Sequence, residues 1–335
     1  MNGDLTLDWR RCCWPLVLPL TVGGRRLEER QGFELRLSST DGRVGHGEAS
    51  PLPGLHRESL DELHGLLPGA LILLREALAP DIDYSGLLSL LGSAEEWMAL
   101  PASLRFGLEG AALGWLAHSA DPADLLGLPV GTPPPSSSLF DGTGETEAPE
   151  AATCLKVKVG RQRLEEDVSM VQRVWRSVAS SVEIRLDANR AFSLDEALAF
   201  AEACNGLSPA WIEEPLSHPA AMPEFATRSG MAVALDESLH EPEHACLLDA
   251  PGVAAWVLKP SLLGVGGTLA AFRKAEQVSG RPSCVISSSF EGPCGHGLLE
   301  TLARCAPGLP SPGLGTQRWF GDGEATPWTV INGRF

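Results

Sequence analysis

The chain has 335 residues, of which 44% are hydrophobic, and it carries a formal net charge of −17. That apolar fraction excludes a largely disordered protein, and the length suits one large α/β barrel with a smaller companion domain. The acidic balance argues against nucleic acid and anionic lipid as partners, because binding either of them requires a basic face.

An apolar stretch near the start, residues 12–22, is too short to cross a bilayer and contains Pro15 and Pro19. No small-residue cleavage site follows it, so we expect a cytoplasmic protein with no membrane partner. The eight cysteines form no C-x-x-C pair and no regular ladder of spacings. This pattern predicts reduced thiols rather than a zinc ribbon or a disulfide framework. The sequence leaves the oligomeric state open.

The first 118 residues are predicted to form an α+β domain. Apolar and polar residues alternate within residues 1–55, and turn signals occur at Gly23-Gly24 and Asp41-Gly42. This pattern indicates a small antiparallel sheet. Residues 60–78 and 104–118 have the apolar spacing of helices. Residues 119–152, rich in Pro, Ser, Gly and Glu, are predicted to be a junction that includes the first barrel strand near residues 136–140.

Residues 153–312 repeat a short β-rich run followed by a helical segment. The six runs read LKVKV, VEIRLDAN, WIEEP, VALDES, AWVLKP and CVISSSFE. Strand followed by helix implies parallel strands. With the strand before them and an eighth after Pro307, they predict a (β/α)₈ TIM-type barrel, and an open doubly wound sheet is the alternative. Residues 313–335 are predicted to return toward the N-terminal domain.

Charged side chains end five of the barrel runs. Asp187, Glu213, Asp236 and Lys259 follow one another at intervals of 26, 23 and 23 residues, and Lys158 ends the run before them. Each interval is about one strand-helix unit, so these groups should converge at the carboxyl ends of neighbouring strands. A single charged group there is commonly a solvated strand end. Three converging carboxylates, however, need a hard cation, and oxygen-only ligands favour Mg²⁺.

Three of the four lysines in the chain, Lys156, Lys158 and Lys259, lie at apolar strand ends. A lysine can serve as a general base when its surroundings tune its pKa, whereas arginine cannot. Lys156 and Lys158 share one face of their strand, because alternate side chains point the same way. On the following run Arg185 and Asn189 share the face of the strand-ending aspartate.

These residues resemble the enolase superfamily, in the branch with a K-x-K motif on the second strand. The matching motifs occur in family order as Lys156-Val157-Lys158, Asp187-Ala188-Asn189, Glu213-Glu214-Pro215, Asp236-Glu237-Ser238 and Lys259-Pro260. The resemblance runs through the barrel, and residues 1–118 resemble the α+β capping domain of the family more loosely. It implies a Mg²⁺ cofactor and a small anionic substrate. It also implies roles for individual residues, with Mg²⁺ bound by Asp187, Glu213 and Asp236, Lys158 as the base, and Lys259 on the opposite face of the substrate. Three further residues are expected to support the site, namely Lys156, which would tune Lys158, Arg185 and Asn189.

Within the superfamily, Ser287-Ser288-Ser289-Phe290-Glu291 resembles o-succinylbenzoate synthases, whereas dipeptide epimerases tend to carry D-x-D there. The resemblance implies dehydration of 2-succinyl-6-hydroxy-2,4-cyclohexadiene-1-carboxylate to 2-succinylbenzoate, on the route to menaquinone or phylloquinone. N-Acylamino acid racemases and muconate cycloisomerases share most of the constellation and stay alternatives. A non-catalytic metal-binding protein is a more remote one.

Two turns are predicted to contact the substrate, through Ser287, Ser288 and Ser289 in one and Gly266 in the other. Backbone N–H groups at the start of a helix can bind an anion, although a plain helix-entry turn is the alternative for each. Residues 240–244, HEPEH, match the H-E-x-x-H zinc pattern. A proline falls where that motif needs the interior of a helix, so we predict no zinc site.

Overall fold

The computed structural model describes residues 5–79, 81–140 and 152–320. An N-terminal α+β domain precedes a curled sheet of parallel strands interleaved with helices, which confirms the predicted fold class. Parts of two predicted segments, 141–151 of the junction and 321–335 at the C-terminus, lie outside the described residues. In the ranges that are described, no helix is long and apolar enough to cross a membrane.

Within residues 5–79 and 81–117, the N-terminal domain contains three antiparallel strands and four α-helices. They are β1 (Thr6–Val22), β2 (Arg25–Ser38), β3 (Val44–Ala49), α1 (Leu60–Ala77), α2 (Tyr84–Ser93), α3 (Glu95–Met98) and α4 (Ala102–Ala117). Gly23 and Gly24 join β1 to β2 with positive φ values of 53° and 75°, as a two-residue hairpin turn requires. The predicted sheet and both predicted helices are therefore confirmed, whereas α2 and α3 had no predicted counterpart.

The strand β3 lies directly against α4, backbone to backbone. A Cβ atom added at Gly47 would lie 1.8 Å from the carbonyl oxygen of Gly107, and one added at Gly45 would lie 1.9 Å from that of Ala111. Ordinary contacts of a Cβ atom are 3.4–4 Å. Only glycine at these positions lets the strand approach the helix this closely.

The second domain consists of seven parallel strands and five helices in the described residues. They are β4 (Ser138–Phe140), β5 (Cys154–Lys158), α5 (Leu164–Ser177), β6 (Glu183–Asp187), α6 (Leu194–Ala203), β7 (Ile212–Glu213), α7 (Met222–Ser229), β8 (Val233–Leu235), β9 (Val253–Leu258), α8 (Pro260–Gln277), β10 (Ser283–Ile286) and α9 (Pro293–Ala303). The strands pair in chain order from β4 to β10, so sequence neighbours are spatial neighbours. This order brings all the carboxyl ends to one side of the sheet.

The sheet is closed by a segment shorter than the predicted eighth strand. Gly313 donates its N–H to the carbonyl of Ile286 at 2.8 Å, and Ser137 donates its N–H to the carbonyl of Pro312 at 2.8 Å. These bonds join the last strand to the residues just before β4. The eighth position is thus filled by a bridge and not by a regular strand. Beyond it, Phe320 forms an antiparallel bridge with Leu16 of β1.

Two glutamates of the N-terminal domain bind the N-terminal ends of barrel helices. Glu48 of β3 accepts N–H bonds from Gly292 at 2.6 Å and Gly295 at 2.8 Å, at the start of α9. Glu109 of α4 accepts an N–H bond from Gly266 at 3.0 Å, just beyond a break in α8. Both carboxylates are buried. They fix the N-terminal domain to the barrel because helix N-termini favour negative charge.

Candidate active site

The five predicted strand-end residues lie at one edge of the barrel. Lys158, Asp187 and Glu213 are the last residues of β5, β6 and β7, and they are direct neighbours in the strand register. Asp236 and Lys259 follow the last residues of β8 and β9. The one-unit spacing in the sequence therefore brings the five groups to consecutive strand ends, with the two lysines on the outer strands and the acids between them.

Ammonium groups connect the carboxylates. The Nζ atom of Lys156 lies 2.6 Å from Oδ2 of Asp187 and 2.7 Å from Oε1 of Glu213. The Nζ atom of Lys158 donates to Oδ2 of Asp187 at 2.6 Å, and that of Lys259 donates to Asp236. The acids are thus paired with lysine ammonium groups in the structure, and the predicted binding of Mg²⁺ by these acids stays a prediction.

Burial of the three acids shifts their pKa values. Asp187, Glu213 and Asp236 are 2%, 3% and 6% exposed. Burial and the negative charge of Asp187 raise the pKa of Glu213 to about 8. Burial would also raise the pKa of Asp187, but the ammonium groups of Lys156 and Lys158 hold it below its ordinary value. Burial is thus the main reason that the pKa of Glu213 is raised, and the charge of Asp187 adds to it.

The donor chemistry of the cluster fits a hard divalent cation, because all three acids present oxygen atoms. Asn189 orients one of them, since its Nδ2 donates to Oδ1 of Asp187 at 2.6 Å and its backbone N–H donates to the same atom at 3.1 Å. Among the described residues, no three Asp, Glu, His or Cys side chains are grouped closely enough to enclose an ion. Ammonium groups lie between the acids instead, so binding of a metal would require the lysine side chains to withdraw.

A family model described as "Enolase C-terminal domain-like" matches residues 145–316, about half of the chain. The chain is also 31% identical to the o-succinylbenzoate synthase of Klebsiella pneumoniae, over 94% of this chain and 91% of that protein. The chain belongs to the enolase superfamily. Another relative is Protein PHYLLO, chloroplastic, of Arabidopsis thaliana, 30% identical over 88% of this chain, which spans only 20% of the length of that protein.

Solved structures of the enolase superfamily share the fold. The o-succinylbenzoate synthase of Thermosynechococcus elongatus BP-1, complexed with Mg in the active site, matches with a TM-score of 0.66 and 26% identity, over 94% of each chain. The L-Ala-D/L-Glu epimerase of Bacillus subtilis matches with a TM-score of 0.76 and 19% identity, over 95% of this chain and 91% of that one. At that identity the epimerase shows a common fold alone.

Arg185, predicted to support the site, does not touch its carboxylates. Its Nε atom donates to Glu183 at 2.6 Å, its Nη1 atom donates to the carbonyl of Ser311 at 2.7 Å, and the guanidinium lies 4.4 Å from the ring centre of Trp211. Arg185 lies two residues before the strand-ending aspartate, deeper along β6. Its contacts with Glu183, Ser311 and Trp211 therefore stabilise the interior of the enolase-type barrel below the strand ends.

The three predicted substrate-binding serines lie in the turn between β10 and α9. Ser288 and Ser289 are buried, and both donate to Oε2 of Glu291 at 2.7 Å, the first through Oγ and the second through its backbone N–H. The backbone N–H of Ser287 donates to the carbonyl of Leu258 on β9 at 2.9 Å. These bonds place the turn beside the end of β9, but they also occupy much of its donor capacity. Substrate contact through the serines stays a prediction.

The predicted role of Gly266 is not supported. Its N–H donates to Glu109 and is unavailable to a substrate anion. The break at Gly264, with a φ of 76°, begins a second helical segment whose N-terminus is bound by this glutamate. The alternative weighed from the sequence, a plain helix entry, describes this turn correctly. The partner glutamate is 157 residues away in the chain, so no local pattern could have identified it.

The H-E-x-x-H pattern at residues 240–244 does not lie within an α-helix. A 3₁₀ helix begins at Pro242, and the Nδ1 atom of His244 contacts Oε2 of Glu241 at 2.8 Å. Glu241 is engaged with Arg190 as well. Pro242 therefore lies at the start of a helix and not in its interior, as predicted.

Sequence reasoning missed residues that connect the capping domain to the site. Arg30 of β2 is 1% exposed and donates to the carbonyls of Ser50, Pro51 and Phe290. Nδ1 of His56 accepts the N–H of Leu52, so its Nε2 carries the proton and contacts the carbonyl oxygen of Ser261 at 3.2 Å. These contacts fix the capping segment 50–56 against the first turn of α8, where Ser261 lies two residues after Lys259. Their partners are distant in the chain, and no motif marks them.

Proposed function

We propose that this protein is an o-succinylbenzoate synthase, a hydro-lyase that dehydrates 2-succinyl-6-hydroxy-2,4-cyclohexadiene-1-carboxylate to 2-succinylbenzoate in menaquinone or phylloquinone biosynthesis. One observation carries the proposal, which is that Lys158 and Lys259 lie on strands that flank the three acid-bearing strands. An anionic substrate placed at this edge would have an amine on either side of its reacting carbon. The relatives named above and the run from Ser287 to Glu291 favour the synthase over other reactions of the fold.

Mg²⁺ is the proposed cofactor, held by Asp187, Glu213 and Asp236. When bound there, it would stabilise the second negative charge that the substrate carboxylate gains when the neighbouring carbon loses its proton. Asn189 would hold Asp187 in orientation through the two hydrogen bonds already described.

Lys158 is the proposed general base, a role that requires its ammonium group to give up a proton before the reaction. Its Nζ atom takes the proton from the ring carbon that bears the carboxylate, and the electron pair of that C–H bond moves into the ring and carboxylate. The C–O bond at ring position 6 then breaks, and the hydroxide leaves with the proton that Lys158 acquired, as water. The ring becomes aromatic, and no oxidant or reductant is required.

Lys259 is proposed to stabilise the flat anionic intermediate from the other face. Burial would lower the pKa of Lys259, but Asp236 and Glu237 raise it above its ordinary value, so this amine is held as a cation. A permanent positive charge suits electrostatic stabilisation and does not suit proton abstraction. Lys156, which bridges two acids, would tune the charge next to Lys158.

An N-acylamino acid racemase or a muconate cycloisomerase-like enzyme is the second candidate. It is favoured by the same pair of lysines, because a racemase needs one proton donor and one acceptor on opposite faces. The cationic state of Lys259 fits the donor role in such a reaction. The two functions differ in whether a C–O bond is broken, so product analysis distinguishes them.

The test is ultraviolet detection of 2-succinylbenzoate formed from the cyclohexadiene substrate, with Mg²⁺ and after its removal by a chelator. Parallel reactions in D₂O with N-succinylamino acids would detect racemase activity as deuterium incorporation at the α-carbon. Formation of 2-succinylbenzoate only with Mg²⁺ supports the proposal. Deuterium exchange without any dehydration would refute the synthase assignment in favour of a racemase.

A further inference from the structure

Glu214 is a buried acid beside the site to which the proposed reaction gives no role. It directly follows Glu213 at the end of β7 and has 0% exposure. Its φ of 39° lies in the left-handed region, which is unfavourable for a residue other than glycine. Arg190 and Asn189, at the end of the neighbouring strand, also have positive φ values, of 60° and 45°. Strained backbone at two adjacent strand ends requires compensation from the contacts made there.

Four hydrogen-bond donors surround the carboxylate of Glu214. Oε1 accepts the backbone N–H groups of Asp236 at 2.8 Å and Ser238 at 2.9 Å. Oε2 accepts the Oγ–H of Ser238 at 2.9 Å and the Nε–H of Arg190 at 3.0 Å. The carboxylate therefore holds the backbone on both sides of Glu237, and one of the residues it holds is Asp236.

Arg190 links this carboxylate to the next strand. Its own backbone N–H donates to the carbonyl of Glu214 at 2.6 Å, and it directly follows Asn189, which orients Asp187. Its other nitrogens donate to Glu241, at 2.9 and 2.6 Å, and to Ser238. The network thus joins the ends of β6, β7 and β8, the three strands that carry the acids.

We propose that Glu214 is a positioning residue that fixes the backbone of residues 236–238 and so orients the carboxylate of Asp236 for Mg²⁺. This inference rests on the proposed metal-dependent function. It predicts that Glu214 affects the affinity for Mg²⁺ and takes no part in proton transfer. Groups that orient metal ligands without touching the metal commonly change affinity by about 10- to 100-fold when they are replaced.

The substitution Glu214→Gln tests the role while it keeps the shape of the side chain. All four neighbours are donors, and the N–H groups of Asp236 and Ser238 and the Nε–H of Arg190 cannot become acceptors. An amide must therefore turn its NH₂ group toward at least one of them. We expect the 236–238 turn to shift and the dissociation constant for Mg²⁺ to rise by at least about tenfold.

Glu241→Gln is the matched control. Glu241 also pairs with Arg190 through both of its oxygens, but its side chain is 33% exposed and makes no contact with residues 236–238 among the hydrogen bonds described above. We expect its effect on Mg²⁺ affinity to be less than about twofold, because none of the bonds that Glu241 makes to Arg190 holds the backbone of residues 236–238. Ser238→Ala, which removes one of the four donors, is expected to weaken Mg²⁺ binding by a few-fold.

The experiment is isothermal titration of each full-length variant with MgCl₂, at a temperature where far-ultraviolet circular dichroism shows the native fold. Weaker binding in Glu214→Gln but not in Glu241→Gln supports the inference. Equal affinity in wild type and Glu214→Gln overturns it and leaves the proposed function intact, and so does equal weakening in both variants. If Glu214→Gln fails to fold, Ser238→Ala decides in the same way. No Mg²⁺ binding by the wild type would overturn both the inference and the proposed function.

Discussion

Replacing Gly47 by Ala tests how closely the capping domain is packed. The new Cβ atom would lie 1.8 Å from the carbonyl oxygen of Gly107, so β3 and α4 must separate by about 1.5 Å to reach an ordinary contact. The Gly107 oxygen is a backbone atom and the new Cβ atom is bonded directly to the backbone, so no side-chain rotation can relieve the overlap. We expect destabilisation at the upper end of the overpacking range, about 3 kcal/mol.

Thermal unfolding measures this effect. At about 2 cal/mol/K per residue, a cooperative chain of this length has an unfolding entropy of about 0.7 kcal/mol/K, so the Tm should fall by about 4 °C. Gly65→Ala is the matched control, since Gly65 lies within α1 and its added Cβ meets nothing within 4 Å. Alanine there should stabilise the helix by about 0.5–1 kcal/mol. Equal shifts for both variants, or an unchanged Tm for Gly47→Ala, would refute the packing argument.

Three other predictions concern chemistry at the barrel edge. Lys158→Ala should lower the rate of 2-succinylbenzoate formation by at least about 10²-fold, as loss of a general base does. Replacing the exposed Lys274 by Ala should leave that rate unchanged. Comparable rates for the two variants would exclude Lys158 as the base. Dialysis against a chelator should abolish turnover and added Mg²⁺ should restore it, whereas activity that persists in the chelated protein would contradict a Mg²⁺-dependent reaction. Because the pKa of Glu213 is raised to about 8, this acid holds a proton below that pH, and Mg²⁺ must displace it. The dissociation constant for Mg²⁺ should therefore rise as the pH falls from 8 to 6, with about one proton released per ion at pH 7, measured by titration calorimetry in two buffers of different ionisation enthalpy. A pH-independent constant would show that Glu213 is already ionised.

The strand-end residues could be predicted because the order of strands in the sheet follows the order of the chain. Asp187, Glu213 and Asp236 recur at about one strand-helix unit, and the parallel sheet places consecutive strand ends side by side. Local periodicity was sufficient for this step. The Mg²⁺ ion, the synthase reaction, a cytoplasmic location and the roles of Lys158 and Lys259 stay predictions for the experiments above.

The turns were less predictable, because their donors and acceptors find partners that are remote in the chain. Gly266 has the local appearance of an anion-binding turn, yet its N–H belongs to Glu109. Ser288 and Ser289 resemble substrate contacts, yet Glu291 accepts bonds from both. A sequence pattern shows which groups are able to bind, but it does not show which of them are already bound within the protein.

The sequence by itself determined the fold class, the edge of the barrel where the candidate site lies and the acids and amines that converge there, since each follows from a period of two, 3.6 or one strand-helix unit. Only the tertiary structure decided the closure by a short bridge, the attachment of the capping domain through Glu48 and Glu109, and the surroundings of Glu214. These features depend on contacts between groups that chain folding brings together from distant positions, and no local repeat encodes such distances.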